Sequence, residues 1–284
     1  MPMSSITIRN LTSYDEFKQV LALEQQVWGF SDPYDMVPPV VFTITVKRGA
    51  ILLGAFDEHD RMVGFCYSLV GRRERDRKLL QWSHMTGVLP EYRGGLGHRL
   101  KMTQRERALA LGYDLIEWTY DPLQAMNAHL NITKLGCVAE EYHQNVYGES
   151  TSALHKGTPT DRLVAQWHIA APHVERRLTS APELRFRDQE VADAPVVNKT
   201  GMAGGWLTCA SIDLNLDVRR FWLEIPTGFT DIQAQTPELA MSWRMQTREV
   251  FEAYFGRGFK VVDFALNREE GFGRYLLARE VEAA

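Results

Sequence analysis

The 284-residue sequence has few cysteines: Cys66, Cys137 and Cys209, odd in number and scattered. They make neither a disulfide frame nor a zinc spacing, and suit a reducing compartment. Long hydrophobic runs are missing too. No stretch approaches the ~20 apolar residues of a membrane helix. Met1-Pro2-Met3-Ser4-Ser5 is not a basic segment followed by an apolar block, so no signal peptide is read and a cytoplasmic location is expected. Charge of one sign is also lacking. With 32 Lys plus Arg against 36 Asp plus Glu, the net charge is -4, which gives no reason to expect nucleic acid. No metal and no membrane partner is expected. A hydrophobic fraction of 45% is ample for a packed core, and the length suits one large or two ordinary domains.

The richest stretch is Val88-Leu89-Pro90-Glu91-Tyr92-Arg93-Gly94-Gly95-Leu96-Gly97-His98. A largely apolar run from Leu79 to Leu89 leads into it. A helical pattern of Leu96, Leu100, Thr103, Ala108 and Leu111 follows. A strand, a glycine turn and a helix N-terminus in that order form an anion cradle, because glycine lets backbone approach a phosphate and the first helical N–H groups point at it. Three phosphate loops compete. A Walker loop is excluded by the missing Lys-Ser/Thr pair. A dinucleotide fingerprint is weakened because Leu100 stands where the third glycine belongs. The third is an acyl-coenzyme A loop.

Val88-x-Pro90 with Tyr92-Arg93-Gly94-Gly95-x-Gly97 resembles the acyl-CoA loop of the GNAT superfamily of N-acyltransferases, with a glycine run one residue shorter. Either Arg93 or Tyr92 then fills the first loop position. Downstream, Tyr113 to Tyr120 reads as a strand. Asp121-Pro122 closes it, and a helix from Leu123 to Leu135 ends at Gly136. Ile132-Thr133-Lys134-Leu135-Gly136-Cys137 resembles the family's Tyr-x-Lys-x-Gly-Phe, but Ile132 stands where a Tyr often acts as general acid. Upstream, Ile6 to Arg9 reads as a strand, Ser13 to Trp28 as a helix, and Ala50 to Val70 as a hairpin. Ser83-His84-Met85, Asp121 to Ala125 and Pro159 to Leu163 resemble a branch of bacterial acyltransferases with an extra C-terminal region.

The resemblance implies an α/β fold: a GNAT-type mixed, mostly antiparallel sheet flanked by helices, plus a smaller C-terminal α/β region. It spans residues 1–170, the acyl-CoA-binding domain, with 171–284 as the C-terminal region. There, Ala171 to Thr200 reads as a polar connector with one short strand. Phe221 to Pro226, Gly258 to Phe264 and Arg274 to Leu277 read as strands, and Pro237 to Phe255 as a helix. Gly258 to Phe264 echoes Gly112 to Trp118 in type, so the region is either a degenerate partial copy of the core or ordinary αβ periodicity. Thr227 to Asp231 lacks a glycine cluster, so no second CoA site is expected. Arg72 to Lys78 is read as a solvated hairpin end, against a patch steering anionic CoA.

Acyl transfer from a thioester requires an anchored CoA, a polarised carbonyl, a base for the amine and an acid for the thiolate. The backbone from Arg93 through Gly94, Gly95, Leu96 and Gly97 to His98 is expected to hold the pyrophosphate. The resemblance implies that the strand end Thr86 to Val88 pairs with the pantetheine like an added strand and polarises the carbonyl. Regular alternation puts Trp82, His84, Thr86 and Val88 on one face, which makes His84 the first candidate base and Glu117 the second. Tyr120 and Tyr147 are candidates for the acid. Asn127 and Asn131, i and i+4 on one helix face, suit pantetheine and substrate respectively. Asn145, Tyr147 and Arg162 are candidates for the acceptor pocket, with Arg162 suited to a carboxylate. The expected reaction moves an acyl group from acetyl-CoA, or from succinyl-CoA, to a small amine, with an amino acid as best choice. The rival is a non-catalytic acyl-CoA sensor. A homo-oligomer stays open.

Overall fold

The computed structural model describes residues 6–30, 32–148, 157–179, 191 and 193–279. Contacts divide the chain into two compact units. The first takes the described residues of 1–118 and 168–170, the second those of 119–149, 155–167 and 171–284. The chain passes between units after Trp118, after Trp167 and after Ala170, so 119–149 and 155–167 group with the C-terminal residues.

In the first unit, β1 (Thr7–Asn10), β2 (Ile51–Phe56), β3 (Met62–Arg72) and β4 (Leu79–Val88) pair in sequence, all antiparallel. β5 (Ile116–Tyr120) then adds to β4 in parallel. The helix α1 (Tyr14–Trp28) starts on a capping box, Ser13 with Glu16, and stops at Gly29 in the left-handed region. The short α2 (Pro39–Val46) went unread in the sequence. Both cover the Phe65–Tyr67 face of the sheet: Trp28 packs edge-on to Phe65, and Phe42 to Tyr67. The opposite face takes α3 (Leu96–Ala110), whose Lys101 and Gln104 both bond Ser83.

In the second unit the expected helix from Leu123 to Leu135 forms only as α4 (Ala125–Ala128), followed by a π-turn, His129–Lys134. β6 (Tyr142–His143) pairs with β7 (Arg162–Trp167). The expected connector, Ala171 to Thr200, contains a helix, α5 (Pro172–Thr179), and the start of β8 (Asn198–Ala203), which forms a hairpin with β9 (Trp206–Ile212) just beyond it. A second sheet follows: β10 (Arg220–Pro226), α6 (Phe229–Gln235), α7 (Pro237–Phe255), β11 (Lys260–Asn267) and β12 (Phe272–Ala278). Its order is β10-β12-β11, antiparallel throughout. Strand, helix and strand thus recur in β10, α7 and β11, but β12 separates the two strands whereas β4 and β5 touch directly. An antiparallel bridge, Ala139↔Val261, and a bond from Thr133 Oγ1 to the Phe264 carbonyl tie 119–149 to this sheet. The architecture is the mixed, mostly antiparallel sheet flanked by helices that was expected, with a further C-terminal α/β region.

Candidate active site

The end of β4 has a free edge. Among the described residues β5 meets β4 at two positions only, Gln81↔Ile116 and Trp82↔Glu117. On the other side β3 stays paired up to Val88. The Leu89 N–H reaches the Val63 carbonyl at 3.0 Å, so that pair is hydrogen-bonded. Antiparallel ladders alternate, which makes Val88–Gly64 and Thr86–Cys66 non-bonded pairs. The amides of Thr86 and Val88 therefore point away from β3, towards the open edge.

That edge runs into the glycine turn. Pro90–Tyr92 makes one 3-10 turn, Gly94 and Gly95 take φ of +113° and +146°, and α3 begins at Leu96. Only glycine holds such angles without strain. A Cβ added at Gly94 or Gly97 would meet no atom of the described residues within 4 Å. Among the described residues no backbone carbonyl takes up the N–H groups of Gly94, Gly95, Leu96 or Gly97. Arg93 differs from expectation: its N–H donates to Pro90 at 3.2 Å, so its backbone closes the turn while its exposed guanidinium stays beside it. Tyr92 is tied by its hydroxyl to Asp57 at 2.9 Å, which leaves Arg93 as the first loop side chain. His98 lies in the first helical turn, half-buried.

His84 does not share a face with Thr86 and Val88. Tyr67 pairs with Met85 and Ser68 with Ser83, so His84 is the extra residue of a β-bulge. The added residue breaks the two-residue alternation. Thr86 lies on the Cys66 side, its Oγ1 3.3 Å from Cys66 Sγ, whereas the His84 ring stands edge-on to Tyr67 at 6.2 Å. Tyr67 faces α2, where its hydroxyl meets Thr45 at 2.9 Å. The imidazole is thus on the α1–α2 side, exposed by area yet walled by enough protein that desolvation draws its pKa below 6.5. A neutral ring at pH 7 can take a proton.

Glu117 fits a base less well. It is buried and its carboxylate meets Arg73 at 3.1 Å. Tyr120 is buried, and burial pushes its pKa well above 10, beyond what suits donation to a thiolate. Ile132 lies wholly in the core. Asn127 and Asn131 do not share a face: Asn127 is exposed and Asn131 buried, because the π-turn widens the helix between them.

The remaining candidates gather in the second unit. Asn145 takes a left-handed turn, φ +44°, and its Oδ1 accepts from the Thr160 N–H at 3.2 Å, so its amide braces the turn rather than reaching outward. Tyr147 is half-exposed, its hydroxyl 3.2 Å from Thr119 Oγ1, and the Arg162 guanidinium lies 5.1 Å from its ring centre. Arg162 is buried, 3.8 Å from Asp121, and desolvation lowers its pKa. Around this group the sequence reading missed two acid–arginine pairs. Arg244 chelates Asp121 at 2.8 and 2.6 Å, and Arg248 chelates Asp161 at 2.8 and 2.8 Å. Tyr142 adds a bond to Asp161 at 2.6 Å. The signal was present: Arg244 and Arg248 are i and i+4 on α7, one face of a helix that also buries Ala240, Trp243 and Phe251.

No group of three or more His, Cys, Asp or Glu among the described residues is placed to hold a metal, and none of the described helices is long and apolar enough to cross a membrane. No protein-family model and no curated protein matches the chain. Solved structures do align with part of it. A GNAT-family acetyltransferase from Streptococcus pneumoniae is 18% identical, with TM-score 0.45, covering 57% of this chain and 98% of its own. A phosphinothricin acetyltransferase of the GNAT superfamily from Sinorhizobium meliloti, in complex with AcCoA, is 18% identical at TM-score 0.45, covering 57% and 87%. The ribosomal-protein-S18-alanine N-acetyltransferase from Escherichia coli is 16% identical at TM-score 0.45, covering 58% and 94%.

Proposed function

We propose that the protein is a GNAT-type, acyl-CoA-dependent N-acyltransferase acting on a small amine, with an amino acid as the acceptor of first choice. The observation that supports this is one continuous track. The amides of Thr86 and Val88 point to the strand edge that β5 leaves unpaired among the described residues, and that edge leads into the glycine turn at the head of α3. An amide-bearing pantetheine arm suits the first, a pyrophosphate the second. Arg93 adds a cation for the phosphates. His84 takes the proton from the amine, directly or through water. The amine nitrogen then attacks the thioester carbon, the C–S bond breaks, and the thiolate leaves and is protonated by water. Residues 1–170 carry the acyl-CoA chemistry in this reading, and Arg162 with Tyr147 receives the acceptor carboxylate. The location is cytoplasmic. Acetyl-CoA is the default donor, and succinyl-CoA the alternative.

A second reading, a non-catalytic acyl-CoA sensor, draws support from the core burial of Ile132 and the inert environment of Tyr120. A thiol-release screen of acyl-CoAs against D- and L-amino acids separates the two. Amine-dependent release supports the transferase. Tight acyl-CoA binding without release supports the sensor.

A further inference from the structure

At the turn between β2 and β3 one carboxylate has two duties. Asp57 Oδ1 accepts the N–H groups of His59 and Arg61, both at 3.0 Å, which folds the turn. Its Oδ2 accepts the Tyr92 hydroxyl at 2.9 Å, 35 residues along the chain. The Arg61 N–H, and after it the phenol, hold the Asp57 carboxyl below the usual carboxylate range. The acceptor is therefore charged at neutral pH, and the bond from Tyr92 is charge-assisted. An exposed pair beside it, Arg61 with Glu91 at 3.4 Å, adds little.

Tyr92 stands where the chain enters the glycine turn. The Pro90–Tyr92 turn closes on two backbone bonds, Tyr92 N–H to the Leu89 carbonyl at 3.0 Å and Arg93 N–H to that of Pro90 at 3.2 Å. Gly94 and Gly95 follow, and then α3. Glycine has the widest backbone freedom of any residue, so a glycine pair loses the most entropy when a ligand fixes it. A segment tied at both ends has fewer conformations left to lose. The buried Leu96 ties the far end into α3. The Tyr92 hydroxyl ties the near end, just before the glycines.

We propose that Asp57 is a positioning residue for the donor: by holding Tyr92 it presets the glycine turn for the pyrophosphate of acyl-CoA. This role rests on the acyl-CoA reading above. Neither Asp57 nor Tyr92 touches the reacting atoms in that reading. The effect therefore falls on affinity for the nucleotide half of the donor and leaves the transfer step unchanged.

The test compares acetyl-CoA with S-acetylpantetheine, the same thioester arm without the pyrophosphate, using the full chain and pooled amines. Tyr92→Phe deletes one oxygen and leaves the Asp57 turn in place. In that variant kcat/KM for acetyl-CoA falls about fivefold or more, through KM, while kcat stays within about twofold. For S-acetylpantetheine kcat/KM changes by less than about twofold. Calorimetry with CoA alone shows the same loss of affinity. Asp57→Asn keeps an oxygen for the two turn N–H groups but loses the charge. It weakens CoA binding by itself and adds no further loss once Tyr92 is replaced, because the two side chains act through one contact. Unchanged CoA affinity in Tyr92→Phe overturns the proposal, as do equal losses for the two donors or additive losses in the double variant. If the protein binds CoA without turnover, the calorimetric comparison of the four proteins decides. Failure of CoA to bind the wild type sinks the acyl-CoA reading and this role with it, whereas wild-type binding that Tyr92→Phe leaves intact sinks only the role of Asp57.

Discussion

Two titrating residues sit on the same side of the first sheet and answer to pH in different ways. His84 is held neutral by desolvation, so its protonation begins below pH 6.5. If it is the base, kcat/KM falls on the acid side with an apparent pKa under that value. His84→Ala loses about 10²-fold or more in kcat/KM at pH 7 and loses that acid limb. A variant with wild-type rate and profile would mark the ring as structural. Glu24 of α1 is wholly buried, and one oxygen accepts from the Val37 N–H at 3.0 Å. Burial raises its pKa from 4.5 to about 7. Below pH 4.5 the carboxyl is protonated whether the chain is folded or not. Between there and pH 7 the unfolded chain releases the proton first, so stability falls as pH rises, by roughly 3 kcal/mol in all. Glu24→Gln removes the titration. Its denaturant midpoint is flatter from pH 5 to 8 and exceeds the wild type at pH 8. Parallel profiles for the two proteins would show that Glu24 does not titrate in this window.

Among the elements, the turn before α3 is where one side chain tests the placement of CoA. Gly95→Asp places a carboxylate beside the proposed pyrophosphate and a Cβ at φ +146°. Acyl-CoA affinity drops at least about tenfold, some 1.4 kcal/mol, while circular dichroism keeps the wild-type fold. Unchanged binding by calorimetry would move the CoA site elsewhere. This turn was legible because strand, glycines and helix are adjacent in sequence. The β2–β3 hairpin and α7 were legible for the same reason, their signals being local. The bulge at His84 was not, because it is defined by register against β3, which alternation within β4 cannot reveal. The π-turn after Ala128 is likewise a matter of packing: Ile132 and Asn131 both turn inward. Two misses had local signals. Pro172 at a helix start, Glu175 in the first turn and Arg177 in the last marked α5. Gly204-Gly205, with φ of +59° and +83°, marked the β8–β9 hairpin.

Across the second unit, what matters is who supplies the charge partners. Asp121 and Asp161 are both buried, and both are chelated by arginines of α7. Breaking a buried pair by removing one side costs about 3–5 kcal/mol, against a total stability of about 5–15. A chain ending after Ala170 loses both pairs, the Tyr275 bond to Pro122 at 2.8 Å and the Ala139↔Val261 bridge. It aggregates or lacks activity, while the intact chain binds one CoA per protomer. A soluble, fully active 1–170 fragment would contradict this, and two CoA per protomer would mean that the C-terminal echo is not empty.

The two arginine chelates also impose an order on synthesis. Asp121 and Asp161 leave the ribosome long before Arg244 and Arg248. At about 5–20 residues per second the wait is roughly 4–17 s for the later pair, and longer for the earlier one. Through that interval both carboxylates, buried in the finished second unit, must stay hydrated. The nascent chain therefore holds this half open, and closes it only when its last long helix arrives.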